Sequence, residues 1–138
     1  MKSKPVFVDT NILVYAHDRD AGDKHRIARE KVEQLWDLDQ IPVISVQVLQ
    51  EFYVNLARKG VPEEQIRQAV ADYMQWRTIT NDAQLLVAGM DLKKRWQVSL
   101  WDALILAAAG RAKVGAIWSE DFKPGQKYDG IEMVNPLA

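Results

Sequence analysis

The chain reads as an α/β protein, a three-layer α/β/α sandwich around a central, mostly parallel sheet. Three observations predict this. Short continuous apolar runs recur along the sequence, the form taken by strands buried on both faces. Longer segments with helical apolar spacing separate them, and in a parallel sheet such segments are the right-handed crossovers. The length of 138 residues suits one core, so residues 1–138 are expected to form a single domain.

Taken in order, the predicted strands are 5–8, 41–44 and 116–118, with less uniformly apolar ones at 77–80 and 131–134. Helical spacing covers 12–18, 23–38, 46–59, 62–76, 82–96 and 100–113. Local punctuation agrees: Gly60 follows a helix ending in Arg58 and Lys59, and Pro62 with Glu63 and Glu64 suits the first turn of the next. Asn81 with Gln84, and Ser99 with Asp102, have capping-box spacing. No internal repeat or low-complexity segment interrupts this order.

Composition removes several classes of function. Hydrophobic residues make up 48% and charged residues 27%, the balance of a folding globular chain. No apolar run approaches the roughly 18 residues of a membrane span. The opening "MKSKPVFVDTN" meets a carboxylate before a signal-peptide apolar region can form, so no membrane association and a cytoplasmic location are expected. With no cysteine, a bound metal must be held by oxygen or imidazole. A formal net charge of -1 supplies no global basic field, so a polyanion must be met locally. There is no P-loop, no dinucleotide fingerprint and no G-x-S-x-G.

The remaining chemistry lies in acids. In open α/β sheets, ligands bind outside the carboxyl ends of the strands. Asp9 ends the first predicted strand, Ser45 the second, and Ser119, Glu120 and Asp121 follow the run "GAIW". For Asp9 the plain alternative is a turn or cap residue, with Asn11 capping a helix that starts at Ile12. Asp102 opens "LWDALILAAAG", where it either caps toward Ser99 or carries a charge that burial makes costly unless a cation compensates. Glu51 falls with Gln47, Asn55 and Arg58 opposite the apolar stripe of Leu49, Phe52, Tyr53 and Leu56, so periodicity alone makes it a solvated residue. His17 and His25 lack zinc spacing, and "DRDAGDKHRIARE" fails as a calcium loop because Gly22 and Arg29 stand where ligands belong. The five tryptophans read as core or interface residues.

Together, "VFVDTNILVYAHD", "ISVQVLQEFYVNLARKG", "SLWDALILAAAG" and "AIWSEDF" resemble the PIN-domain ribonucleases, in particular VapC-like toxins of bacterial toxin-antitoxin pairs, over nearly the whole chain. The resemblance implies a PIN-like fold and a Mg2+- or Mn2+-dependent endoribonuclease. Position by position it assigns Asp9, Glu51, Asp102 and Asp121 as the catalytic and metal-binding acids. Asn11 and Ser119 become the polar residues that hold the carboxylates or the scissile phosphate. It also implies an RNA substrate, an antitoxin partner and a homodimer. The physics is compatible: two carboxylates about 4 Å apart repel by roughly 4 kcal/mol at an effective dielectric of 20, so a cluster of four requires a cation or protons. Oxygen-only ligands suit hard ions that retain exchangeable waters.

Two other readings use the same residues. A non-catalytic PIN-like module would use the acids to bind a structural cation or a partner's arginine. A phospho-acceptor receiver domain needs an acidic pair at the first strand, where Phe7 and Val8 stand instead.

Overall fold

A computed structural model describes residues 4–138. The signal-peptide reading and the start of the predicted domain fall partly on residues 1–3, outside the described residues. The described chain runs β1 (Val6–Val8), α1 (Thr10–His17), a 3-10 turn (Arg19–Ala21), α2 (Asp23–Leu35), β2 (Val43–Ser45), α3 (Val46–Arg58) and α4 (Glu63–Tyr73). It continues through β3 (Arg77–Ile79), α5 (Ala83–Trp96), α6 (Leu100–Arg111), β4 (Ala116–Trp118), β5 (Lys127–Tyr128) and β6 (Ile131–Val134). The six strands form one sheet in the order β3-β2-β1-β4-β6-β5, parallel except for β5 against β6.

The apolar strands are short because each crosses only the thickness of the core. Phe7, Val8, Val43, Ile44, Ile117 and Met133 are almost fully buried between the helices. Helix α1 packs against both α2 and α3, α3 against α4, and α5 along α6, forming the helical layers of the α/β/α sandwich. Phe52 of α3 meets His17 and Tyr73 edge-on, and Trp36 lies against Tyr73 and Trp76, so aromatic rings join α1, α2, α3 and α4. Among the described residues no helix is long and apolar enough to cross a membrane.

The second strand runs Val43–Ser45 where 41–44 was expected, and helix ends follow the predicted chemistry, with three further corrections to the predicted elements, two at helix starts and one a strand. Gly60, at φ +83°, closes α3 in a Schellman motif, with Val61 N–H on Leu56 O and Gly60 N–H on Ala57 O. Ser99 Oγ accepts from Asp102 N–H at 3.1 Å, as the spacing predicts. Asn81 is not a cap: Asp82 accepts from Leu85 N–H at 2.8 Å, and its carboxylate also receives Arg111. Helix α1 starts at Thr10, two residues before the predicted start, because Asp9 itself is the cap and accepts from Thr10 N–H at 2.8 Å. Asn11 therefore caps nothing. The third correction is β5, absent from the predicted strands, which pairs with β6 across Asp129 and Gly130, both at positive φ.

Candidate active site

The sheet order places a topological switch between β1 and β4. From β1 the chain builds outward to β2 and β3 on one side, and from β4 to β6 on the other, so the loops at this junction part and leave a crevice. Asp9 and Ser119 are the residues that leave these neighbouring strands, whose register pairs Val8 with Trp118. Asp9 N–H donates to Trp118 O at 2.9 Å, and Ser119 Oγ donates to Asp9 Oδ2 at 2.7 Å. Asp9 is 5% exposed and Ser119 1%.

The other predicted residues assemble around this pair. Asp121 N–H donates to Ser119 Oγ at 3.0 Å, so one hydroxyl holds both Asp9 and the loop that bears Asp121. Asn11 Oδ1 accepts from Glu120 N–H at 3.3 Å, fastening the same loop from α1. Glu51, in the second turn of α3, is exposed, and its Oε1 accepts from Thr10 Oγ1 at 3.4 Å and from Gln47 Nε2 at 3.1 Å. Asp102 is half-buried in the first turn of α6. Glu51 and Asp121 line a cleft of about 330 Å³ together with Thr10, Asn11, Lys59 and Glu120; Asp102 and the buried Asp9 stand outside its lining, Asp9 directly behind Thr10.

Electrostatics tie the four acids together. Burial pushes the Asp9 carboxyl up to about 7, opposed by its hydrogen bonds to Ser119 and Thr10 and reinforced by repulsion from Asp121 and Glu51. Asp102 is raised above the ordinary range by partial burial and then by Asp121. Asp121 is thus close enough to act on both. Glu120, adjacent in sequence and on the rim of the same cleft, is already paired: its oxygens receive Lys24 Nζ and Tyr15 Oη, each at 2.7 Å.

Whether this donor set fits a divalent cation can be read from Asp9. Its carboxylate is buried against a hydroxyl and an amide with no cationic side chain, and faces two further carboxylates, a surplus of negative charge that an ion offsets. All donors are oxygen, as a hard ion requires. Among the described residues no three acidic or histidine side chains are already gathered tightly enough to enclose an ion. The fit to a hard divalent cation such as Mg2+ or Mn2+ rests instead on the all-oxygen donors and the uncompensated negative charge around Asp9.

Two residues of the site were not singled out by the sequence reading. Thr10 carried a signal in its place directly after Asp9. Gln47 carried one in lying a helical turn before Glu51, yet it was grouped with solvated residues and is in fact 5% exposed. Larger cavities lie elsewhere: one of about 630 Å³, bordered by His17, His25, Trp36 and Tyr73, contains none of the four acids, so chemistry rather than size locates the site.

A family model described as PIN domain matches residues 6–128. No curated protein matches the chain. Among solved structures, a toxin-antitoxin complex from Klebsiella pneumoniae is similar over 95% of this chain and 97% of its own, with a TM-score of 0.71 and 23% identity. VapC20 of Mycobacterium tuberculosis, a sarcin-ricin loop cleaving toxin, is similar over 84% of this chain and 89% of its own, at 0.64 and 20%. VapBC2 of Rickettsia felis, bound to a DNA fragment from its promoter, is similar over 93% and 96%, at 0.65 and 18%. At these identities the likeness is one of fold.

Proposed function

The chain belongs to the PIN domain family, and from that premise we propose that it is a divalent-metal-dependent endoribonuclease and the toxin of a toxin-antitoxin pair. The observation that carries this reading is Asp9: a buried carboxylate at the switch crevice, lacking a cationic partner and repelled by Glu51 and Asp121. The solved neighbours that are toxins, or toxin-antitoxin complexes, support the toxin role. On the same support the partners are an RNA substrate and a cognate antitoxin, in a cytoplasmic homodimer whose protomer is one PIN domain over residues 1–138.

Asp9 and Asp102 are the main ligands in this reading, and Asp121 completes the set. Bound Mg2+ or Mn2+ supplies the positive charge that keeps these carboxylates ionised, attracts a phosphate oxygen and makes water a better nucleophile. Ser119 and the Thr10 amide fix the direction of Asp9, so the ligand does not have to reorganise during the reaction. Asn11 holds the loop of Asp121 in place. Glu51, exposed to the cleft and constrained at one oxygen, acts through water, as an outer ligand of the ion and as the base that takes the proton of the attacking water while its oxygen adds to phosphorus in line; the departing ester oxygen takes a proton from solvent.

The test is cleavage of single-stranded RNA by purified protein across a Mg2+ and Mn2+ titration, against an EDTA control and Asp9→Asn. Metal-dependent cleavage lost in Asp9→Asn is the expected result; full activity in that variant, or none at any metal concentration, refutes the reading. The open spacing of the acids favours one rival, a non-catalytic module. Such a module would gain no nuclease activity over EDTA.

A further inference from the structure

We propose that Gln47 is a positioning residue of this site, the side chain that sets Glu51 relative to Asp102 for a divalent cation; the proposal rests on the nuclease reading above. Gln47 lies in the first turn of α3 and is buried, an unusual place for a long amide. Its Nε2 donates to Glu51 Oε1 at 3.1 Å and to Trp101 O at 3.3 Å. Both partners are acceptors, so the amide has one favourable orientation; turned over, its carbonyl would oppose two oxygens.

Trp101 immediately precedes Asp102. The amide therefore joins the helix bearing Glu51 to the first turn of the helix bearing Asp102, two helices that share little other packing. Glu51 Oε1 also receives Thr10 Oγ1, from the residue after Asp9. Glu51 is thus suspended between the neighbour of Asp9 and, through Gln47, the neighbour of Asp102. Both donors converge on Oε1, so neither occupies Oε2.

The arrangement carries a cost that packing alone does not explain. Gln47 Oε1 is buried with no hydrogen-bond partner among the described residues, and such an atom loses its hydration without replacement. A Met or Leu would fill the same space without that loss. The amide is retained, in this account, for what its nitrogen holds.

The experiment compares wild type, Gln47→Met, Glu51→Gln and the double variant in the full chain. Mn2+ affinity is measured by calorimetry with the metal alone, and stability by urea unfolding in chelator. Gln47→Met is expected to unfold at the same or higher urea concentration and to bind Mn2+ about tenfold more weakly, the scale of losses on removing a group that orients a ligand. In the Glu51→Gln background the same change should move affinity less than about twofold, because Gln47 acts through Glu51. Unchanged Mn2+ affinity in Gln47→Met overturns the proposal and leaves the nuclease reading intact. An equal loss in both backgrounds also overturns it. If Gln47→Met does not fold, Gln47→Leu replaces it, and failure of both makes the residue structural. Wild type that neither binds Mn2+ nor cleaves RNA removes the nuclease reading and this proposal together.

Discussion

Replacing Asp9 with asparagine should stabilise the metal-free protein, and the gain should widen with pH. In the folded chain the Asp9 carboxyl is raised from 3.8 to about 7, chiefly by burial. Between those values the folded state holds a proton that the unfolded state has released, so stability falls as pH rises through this interval and levels off above it. A difference of this size corresponds to about 4 kcal/mol at pH 8 and about 2 kcal/mol at pH 5, by linkage at about 1.4 kcal/mol per pH unit. Asparagine removes the charge yet preserves an oxygen for the Thr10 amide, and its own amide can donate to Ser119. Urea unfolding in chelator, for both proteins at pH 5 and pH 8, isolates the residue, since the other titrating groups cancel in the difference. The variant should be the more stable protein at pH 8, with the gap about 2 to 3 kcal/mol wider than at pH 5. Saturating Mn2+ should reverse the order by stabilising wild type alone. A gap independent of pH, or a variant less stable at pH 8, would refute the claim that burial of an uncompensated charge dominates at this position.

Three further outcomes follow from the same geometry. Ser119→Ala removes a donor that lowers the Asp9 pKa, so cleavage should fall most at acidic pH and recover partly as pH rises; a uniform loss in the pH-rate profile would contradict this. Glu120→Gln should leave cleavage within about twofold, because that side chain is held by Lys24 and Tyr15, whereas Asp121→Asn should weaken Mn2+ binding about tenfold; equal effects would mean the two acids share a role. Phe52→Ala empties a fully buried site between His17 and Tyr73 and should cost about 3 to 5 kcal/mol in urea unfolding, with a loss below 1.5 kcal/mol contradicting the packing.

The strands and helices were legible because their signals are local. A run such as Val6-Phe7-Val8 has one comfortable environment, a sheet covered on both faces, and residues 116–118 and 131–134 are strands with the predicted bounds. The strand Lys127–Tyr128 was not legible as a strand, being two residues long and only half apolar; the Asp129-Gly130 pair was its one available mark. Asp9 and Asp102 were legible as candidates because each is a carboxylate at the edge of an apolar segment. For Asp9 the cap reading holds, since it accepts from Thr10 N–H at the start of α1, and capping does not preclude the ligand role proposed for it, because its other oxygen is held by Ser119 beside Asp121 and Glu51. On the arc of α3 opposite its apolar stripe, periodicity read Glu51 correctly as exposed and misjudged Gln47, which is buried. It assumes one apolar partner for a helix, whereas this arc meets polar groups, Thr10 of α1 and the Trp101 carbonyl of α6.

The hydrogen bond from Ser119 to Asp9 spans 110 residues of sequence. A chain emerging from the ribosome exposes β1 early, but the strand that completes its edge, and the hydroxyl that orients its aspartate, come only after most of the protein has been made. Until β4 docks, Asp9 has no crevice to face and Asp121 no place beside it. The activity proposed here is therefore withheld from incomplete chains by topology alone. An interrupted translation product ending before residue 119 would carry three of the four acids without the hydroxyl that orients Asp9 or the loop that bears Asp121.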